Sequence, residues 1–473
     1  MIRSFPATLP VLLSAVLCAI PVSVLAQDAN RSPERWQQLA RELFEELIEV
    51  NTTNSVGDNT AAAEAMRRRL LAAGFPEEDV VVVEPAPRKG NLVARLRGRD
   101  TGTPPILLLA HIDVVEADSA DWTLPPFELI EREGTFYGRG TADDKDEAAI
   151  YVANLIRMKE EGYIPARDII VALTADEEGG PTNGVQWLLE NRRDLIDAAY
   201  ALNEGGGGIL EDGEHVANTV QAAEKKYQNF LLEVTNPGGH SSRPRPDNAI
   251  NELAQALVRI GGHHFPVRLN DVTRAHLRAS AEIAEPEIAG AMRRLLDDES
   301  DTAAIDVLAR DVRLNAMLRS TCVATLLEGG HAPNALPQRA RATVNCRILP
   351  DADPEQIRAT LERVANVPTL SVTAANTAVN SPPSPLTDEV LGPIQQITQE
   401  MWPGVPVVPT MSTGATDGLY LRNAGIPVYG VSGLFYGETF SHGMNERIPV
   451  QSFYEGQEFL YRLVKALTAG GVT

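Results

Sequence analysis

Between residues 33 and 222, short runs rich in Ile, Val and Leu alternate with longer amphipathic stretches, and this alternation restricts the fold more than any other feature. The runs 92–96, 106–110, 169–174 and 198–202 have the length of strands. Stretches 34–50, 60–73, 148–161 and 184–190 carry apolar residues at helical spacing. Strands separated by helices pair in parallel, and strands apolar throughout belong to a sheet covered on both faces. The expected fold class is therefore α/β, a mostly parallel sheet with helices on both faces.

The order of elements changes near residue 223. Segments 227–235, 321–327, 339–349 and 370–374 read as strands, and 249–260 and 354–364 as helices. A β-α-β-β-α-β order predicts a small ferredoxin-like α+β domain with helices on one face. A charged, Ala-rich helical insertion at 272–319 interrupts it. Ser381-Pro382-Pro383-Ser384-Pro385 reads as a linker, after which a helix at 389–401 and a strand at 427–431 resume the first pattern. The organisation expected is a large domain in two parts, 33–222 and 379–473, with a second domain, 223–378, inserted in it.

Charge and cysteine usage narrow the class. The 473 residues carry 42 Lys plus Arg against 64 Asp plus Glu, a net charge of −22, and contain no basic run interleaved with aromatics. Nucleic acid and anionic membrane surfaces are thus not expected partners. Arg3, the apolar stretch 11–20 and Val24-Leu25-Ala26 make residues 1–26 a cleaved export signal. Pro10 and Pro21 break the run that a membrane anchor would need. The mature protein is expected to be exported, periplasmic or secreted, with no membrane attachment. It keeps Cys322 and Cys346, which hairpin pairing would place roughly opposite; we expect two buried free thiols, one bridge being the alternative.

In α/β sheets, ligands bind outside the carboxyl ends of strands. There this chain places His111-Ile112-Asp113, Asp143 after Gly138-Arg139-Gly140, Glu177-Glu178 after Asp176, Glu204 before Gly205-Gly206, and Ser441-His442-Gly443. Taken singly, such residues are usually caps or solvated loops. Together they crowd one sheet edge with anions, which repel unless cations neutralise them. Ligation by His111, Asp143, Glu178, Glu204 and His442, with Asp143 bridging, balances two dications against three carboxylates and a hydroxide. Imidazole plus carboxylate without thiolate fits Zn²⁺ best, Co²⁺ or Mn²⁺ being plausible substitutes. Asp113 is placed to orient the His111 imidazole. Glu177 is left free to take a proton from water and pass it to a leaving nitrogen.

At these residues the sequence resembles the dinuclear zinc exopeptidases and deacylases, the family of aminoacylase, glutamate carboxypeptidase, carnosinase and succinyl-diaminopimelate desuccinylase. Val50-Asn51-Thr52-Thr53, His111-Ile112-Asp113-Val114-Val115, Pro125-Pro126-Phe127, Gly138-Arg139-Gly140 with Asp143 to Lys145, Asp176-Glu177-Glu178-Gly179 and Ser441-His442-Gly443 carry the resemblance. It implies that Asp143 bridges the metals, that His442 and Glu178 complete one site and His111 and Glu204 the other, and that Glu177 is the general base and acid. It implies a catalytic domain with an inserted lid or dimerisation domain. From that domain His240, in Gly238-Gly239-His240-Ser241, would polarise the scissile carbonyl, acting from a neighbouring subunit of a homodimer. Arg347 would bind the substrate's carboxylate; Asn334 and the loop 412–417, with Gly414 and Thr416, would contact substrate. The implied reaction is metal-dependent hydrolysis of an amide bond in a small carboxylate-bearing substrate, a dipeptide or an N-acyl amino acid. A non-catalytic binding protein of the same fold and a metallo-phosphoesterase are the alternatives. Asp146 and Ala415 stand where the family more often has glycine.

Overall fold

The computed structural model describes residues 30–100 and 102–470. The export signal expected at 1–26 lies outside the described residues.

The main sheet is α/β and mostly parallel. Strand Ile106–His111 pairs in parallel with Ile169–Thr174 on one side and Tyr200–Asn203 on the other, and Tyr200–Asn203 pairs in parallel with Val428–Gly430. Antiparallel strands Asn91–Leu96 and Val80–Val83 extend one side. On the other, Glu214–Glu224 pairs in parallel with Val407–Ser412 and antiparallel with Gly208–Glu211. Every residue of Ile106–His111 and Ile169–Thr174 is buried, as a sheet covered on both faces requires. Ile106, Leu108 and Ala110 pack into a core on one face. Leu107 and Leu109 point the other way, to Val185, Leu188 and Leu421.

Helix Lys145–Glu160 is buried around nearly its whole circumference, because helices Glu34–Glu49 and Val450–Thr468 cover it where the sheet does not. Phe44 stacks on Phe453 with ring centroids 4.7 Å apart, and Phe136 meets both edge-on. Phe136 belongs to a separate three-stranded sheet of Ile130–Arg132, Thr135–Tyr137 and Arg447–Pro449. Asp143 therefore follows a strand of this small sheet, not one of the main sheet as the sequence pattern implied.

The inserted segment forms a four-stranded antiparallel sheet in the order Thr321–Gly329, Arg339–Ile348, Lys226–Thr235, Leu370–Ala374. Helices Ala249–Gly261 and Pro354–Ala365 pack together on one side of it, over alternate residues such as Phe230, Leu232 and Val344. Cys322 and Cys346 are direct cross-strand partners and are joined by a disulfide, which corrects the expectation of free thiols. The register of two strands decided this, and register is a pairing property that neither strand carries alone.

The insertion is four helices with their own core of Leu277, Met292, Leu295, Leu308 and Leu318. Its first helix, Asp271–Ser280, is held by an Asn270 capping box and packs against Val407–Ser412, where His276 Nδ1 lies 3.0 Å from the Pro409 carbonyl. The Ser-Pro stretch links strand Leu370–Ala374 to helix Asp388–Met401, and its serines anchor it. Ser381 donates to Glu224 at 2.8 Å, while Ser384 donates to the Val428 carbonyl at 2.7 Å and accepts the Val428 N–H at 2.8 Å. Both serines are buried, so the second crossing between the sheets is packed into the protein.

Candidate active site

His111 ends its strand fully buried. Its Nδ1 hydrogen-bonds the main-chain carbonyl of Asp113 at 3.0 Å, which turns Nε2 toward Asp143 Oδ1, also at 3.0 Å. Orientation by Asp113 thus comes from its backbone. Its carboxylate stands 3.6 Å from the imidazole and accepts the N–H groups of Glu177 and Glu178 at 3.1 and 3.0 Å.

Those two glutamates leave strand Ile169–Thr174 through Asp176, whose φ of 62° is in the left-handed region that Asp tolerates. Lys89 pairs with the buried Asp176 carboxylate at 2.5 Å. A Cβ on Gly180 would lie 2.3 Å from that carboxylate, so glycine is required there. The turn presents Glu178 Oε1 at 3.0 Å from His442 Nε2, which also lies 3.2 Å from Asp143 Oδ2. Asp143 therefore stands between the two imidazoles, one carboxylate oxygen on each.

Donor atoms of His111, Asp143 and Glu178 lie within 4.8 Å of one another, and so do those of His111, Glu177 and Glu204. Two overlapping nests, each with imidazole and carboxylate donors, are what a pair of divalent ions would occupy. The electrostatics agree with that fit. Burial, then repulsion from Glu204, pushes Glu177 well above the usual carboxylate range; burial and the charge of Asp143 do the same to Glu204. Asp143 is lowered although burial opposes it, because His111 and His442 hydrogen-bond to it, and His442 is raised to about 10 by Asp143 and Glu178. So many buried carboxylates stay ionised together only with cations among them.

The remaining residues singled out from sequence are not in this cluster. His240 is exposed, with Nδ1 accepting from the Ser242 hydroxyl at 2.8 Å, in a two-residue strand paired with Ala335. Asn334 lies beside it, its carbonyl accepting the Ser241 N–H at 3.1 Å. Arg347 is half-buried on the inserted sheet, its guanidinium 4.8 Å from the centre of the Tyr227 ring, and has no carboxylate partner among the described residues. Gly414 donates its N–H to Ser412 Oγ at 3.0 Å. The Thr416 hydroxyl is engaged by buried Glu224 at 3.0 Å.

Asp417 escaped notice in the sequence except as the end of a loop. It is buried, accepts from Asn183 at 2.5 Å and Thr174 at 3.3 Å, and is pushed up to about 7 by burial. Its contact with Thr174, at the end of the strand before Glu177, is long-range and leaves no local signal.

A family model described as Peptidase family M20/M25/M40 matches residues 107–466. The chain is 27% identical over 468 residues to the N-fatty-acyl-amino acid synthase/hydrolase PM20D1 of Homo sapiens, covering 93% of this chain and 90% of that protein. It is 25% identical over 433 residues to aminoacylase-1A of Rattus norvegicus, covering 90% and 95%. Among solved structures, the M20 family metallo-carboxypeptidase Sso-CP2 of Sulfolobus solfataricus superposes with a TM-score of 0.68 at 16% identity, covering 91% of this chain and 99% of that one. With its match to 360 consecutive residues and its acid and imidazole cluster at the strand ends, the chain belongs to peptidase family M20/M25/M40 and is a metal-dependent hydrolytic enzyme.

Proposed function

We propose that this enzyme hydrolyses the amide bond of N-acyl amino acids, with two divalent ions, Zn²⁺ above Co²⁺ or Mn²⁺, held by His111, Asp143, Glu178, Glu204 and His442. The observation that carries the proposal is the placement of Asp143 between two imidazoles, 3.0 Å from His111 and 3.2 Å from His442, with Glu177, Glu178 and Glu204 around them. The names of two relatives similar over nearly the whole chain favour N-acyl amino acids over dipeptides.

Bound dications polarise a scissile carbonyl and bring the pKa of water toward neutrality. Glu177, oriented by its N–H bond to Asp113, takes the proton of the attacking water and delivers it to the leaving nitrogen. Arg347, a planar cation with no acid partner among the described residues, suits the free carboxylate of the amino acid. Asn334, Gly414 and Thr416 complete the substrate contacts, Thr416 by holding its loop through Glu224.

His240 polarises the carbonyl from a second subunit, and the inserted domain, 223–378, serves as lid and dimer contact. Exposed Val323, Leu326 and Leu327 on an edge strand, with Val258 on the helix beside it, support that surface. The disulfide supports export, because cytosolic thiols stay reduced.

The test is metal analysis with a substrate screen. Zinc-loaded protein should hold two ions and cleave N-acyl amino acids in preference to dipeptides and phosphate esters. Glu177→Ala should keep both ions and lose about 10²-fold or more in kcat. Metal-replete Glu177→Ala with wild-type turnover would overturn the base assignment.

A further inference from the structure

Glu446 has no place in the chemistry described so far, yet it is fully buried beside it. One of its oxygens accepts from Arg139 Nη1 at 2.6 Å and from the Gly140 N–H at 3.1 Å; the other accepts the Ala142 N–H at 2.8 Å. Its own carbonyl accepts the Gly138 N–H at 3.1 Å. All these donors lie in residues 138–142, the loop that delivers Asp143. Arg139, itself buried, spends its other terminal nitrogen on the Gly443 carbonyl at 2.8 Å, one residue beyond His442.

The loop carrying His442 needs such support. His442 is 58% exposed on its side chain, and Phe440, His442 and Asn445 have φ of 58°, 62° and 54°. Three non-glycine residues in the left-handed region are strained and persist only where surroundings hold them. The hydrogen bonds from Arg139 to Gly443 and from Arg139 to Glu446 supply that hold from below.

We propose that Glu446 is a positioning residue, a single buried carboxylate that ties the loop bearing Asp143 to the loop bearing His442 and sets the spacing of these two groups. The inference rests on the metal reading of the site given above. A carboxylate is required because it faces three N–H donors and offers only acceptors. The amide of glutamine would turn an NH₂ group against a backbone N–H or the guanidinium. Since His442 contacts Asp143 and Glu178, both members of one nest of donors, a displaced His442 loop weakens the ion held there most.

The test is Glu446→Gln, with Arg139→Lys as the second variant, each loaded with Co²⁺. Bound metal is counted by elemental analysis, affinity is read by chelator competition, and coordination is read by the visible absorption of cobalt. Arg139→Lys keeps the charge but loses the planar fork whose two terminal nitrogens span Glu446 and Gly443. We expect wild-type protein to hold two ions, and both variants to bind one normally and the other about 10- to 100-fold more weakly, with an altered cobalt spectrum. Variants that hold both ions with wild-type affinity and spectrum while only their melting temperature falls would overturn the inference and leave the metal reading standing. Wild-type protein that binds no metal would overturn the metal reading and the inference with it.

Discussion

The Asp113 carboxylate accepts the main-chain N–H of Glu178 at 3.0 Å, and its other oxygen takes the N–H of Glu177 at 3.1 Å. One buried side chain therefore aims both a proposed proton carrier and a proposed metal donor. Asp113→Asn keeps the size but sets an NH₂ group against one of these donors. It should lower kcat and metal affinity about 10- to 100-fold. Kinetics and chelator titration on the same sample check both; a loss of neither would mean that the turn holds Glu177 and Glu178 without Asp113.

Glu177 sits in the cluster of acids and imidazoles, whereas His240 is exposed on the inserted domain. If His240 serves the partner's site, Glu177→Ala and His240→Ala should each be nearly inactive alone. Mixed and allowed to exchange subunits, they should regain activity, because one site of each mixed dimer has both groups intact. Mixtures that stay as inactive as the separate variants would place His240 outside the reaction or within its own subunit's site.

Cys322 and Cys346 close a loop with a sequence separation of 24. Replacing both by serine should cost about 3 kcal/mol of stability from loop entropy. Urea unfolding checks this; an unchanged midpoint would show that the hairpin is held as well by its strand pairing and the helix beneath it.

Lys225 is buried where the main sheet meets the inserted domain, and among the described residues its amine has only the Thr321 hydroxyl, 3.4 Å away, as a side-chain partner. Burial, with Arg347 adding to it, pushes its amine down to about 7 from an ordinary 10.5. Between those values the unfolded chain binds the proton that the folded chain has released, so this group makes stability rise with pH from about 7 to 10.5. Lys225→Met should flatten that rise, by up to about 1.4 kcal/mol per pH unit. Denaturation series of both proteins across this range provide the check, and parallel curves would refute it.

The sequence on its own determined the class of fold and offered the acids and histidines that the folded chain brings together. Short apolar runs such as 106–110 and 169–174 have to be strands buried on both faces, and the β-α-β-β-α-β order of the inserted segment was visible because periodicity is a local property. Most of the acids and histidines were legible for the same reason, since they directly follow or closely trail a readable strand, whereas Asp143 trails Thr135–Tyr137 of the small sheet. Tertiary structure alone decided what depends on pairing between distant segments. It joined Cys322 to Cys346 where free thiols were expected, buried Ser381 and Ser384 within the linker, and gave the orienting of His111 to the Asp113 carbonyl. It also brought Glu446 beneath residues 138–142, some 300 positions earlier in the chain. Hydrogen bonds and strand register join groups that carry no record of one another in the sequence, so they exist only once the chain has closed on itself.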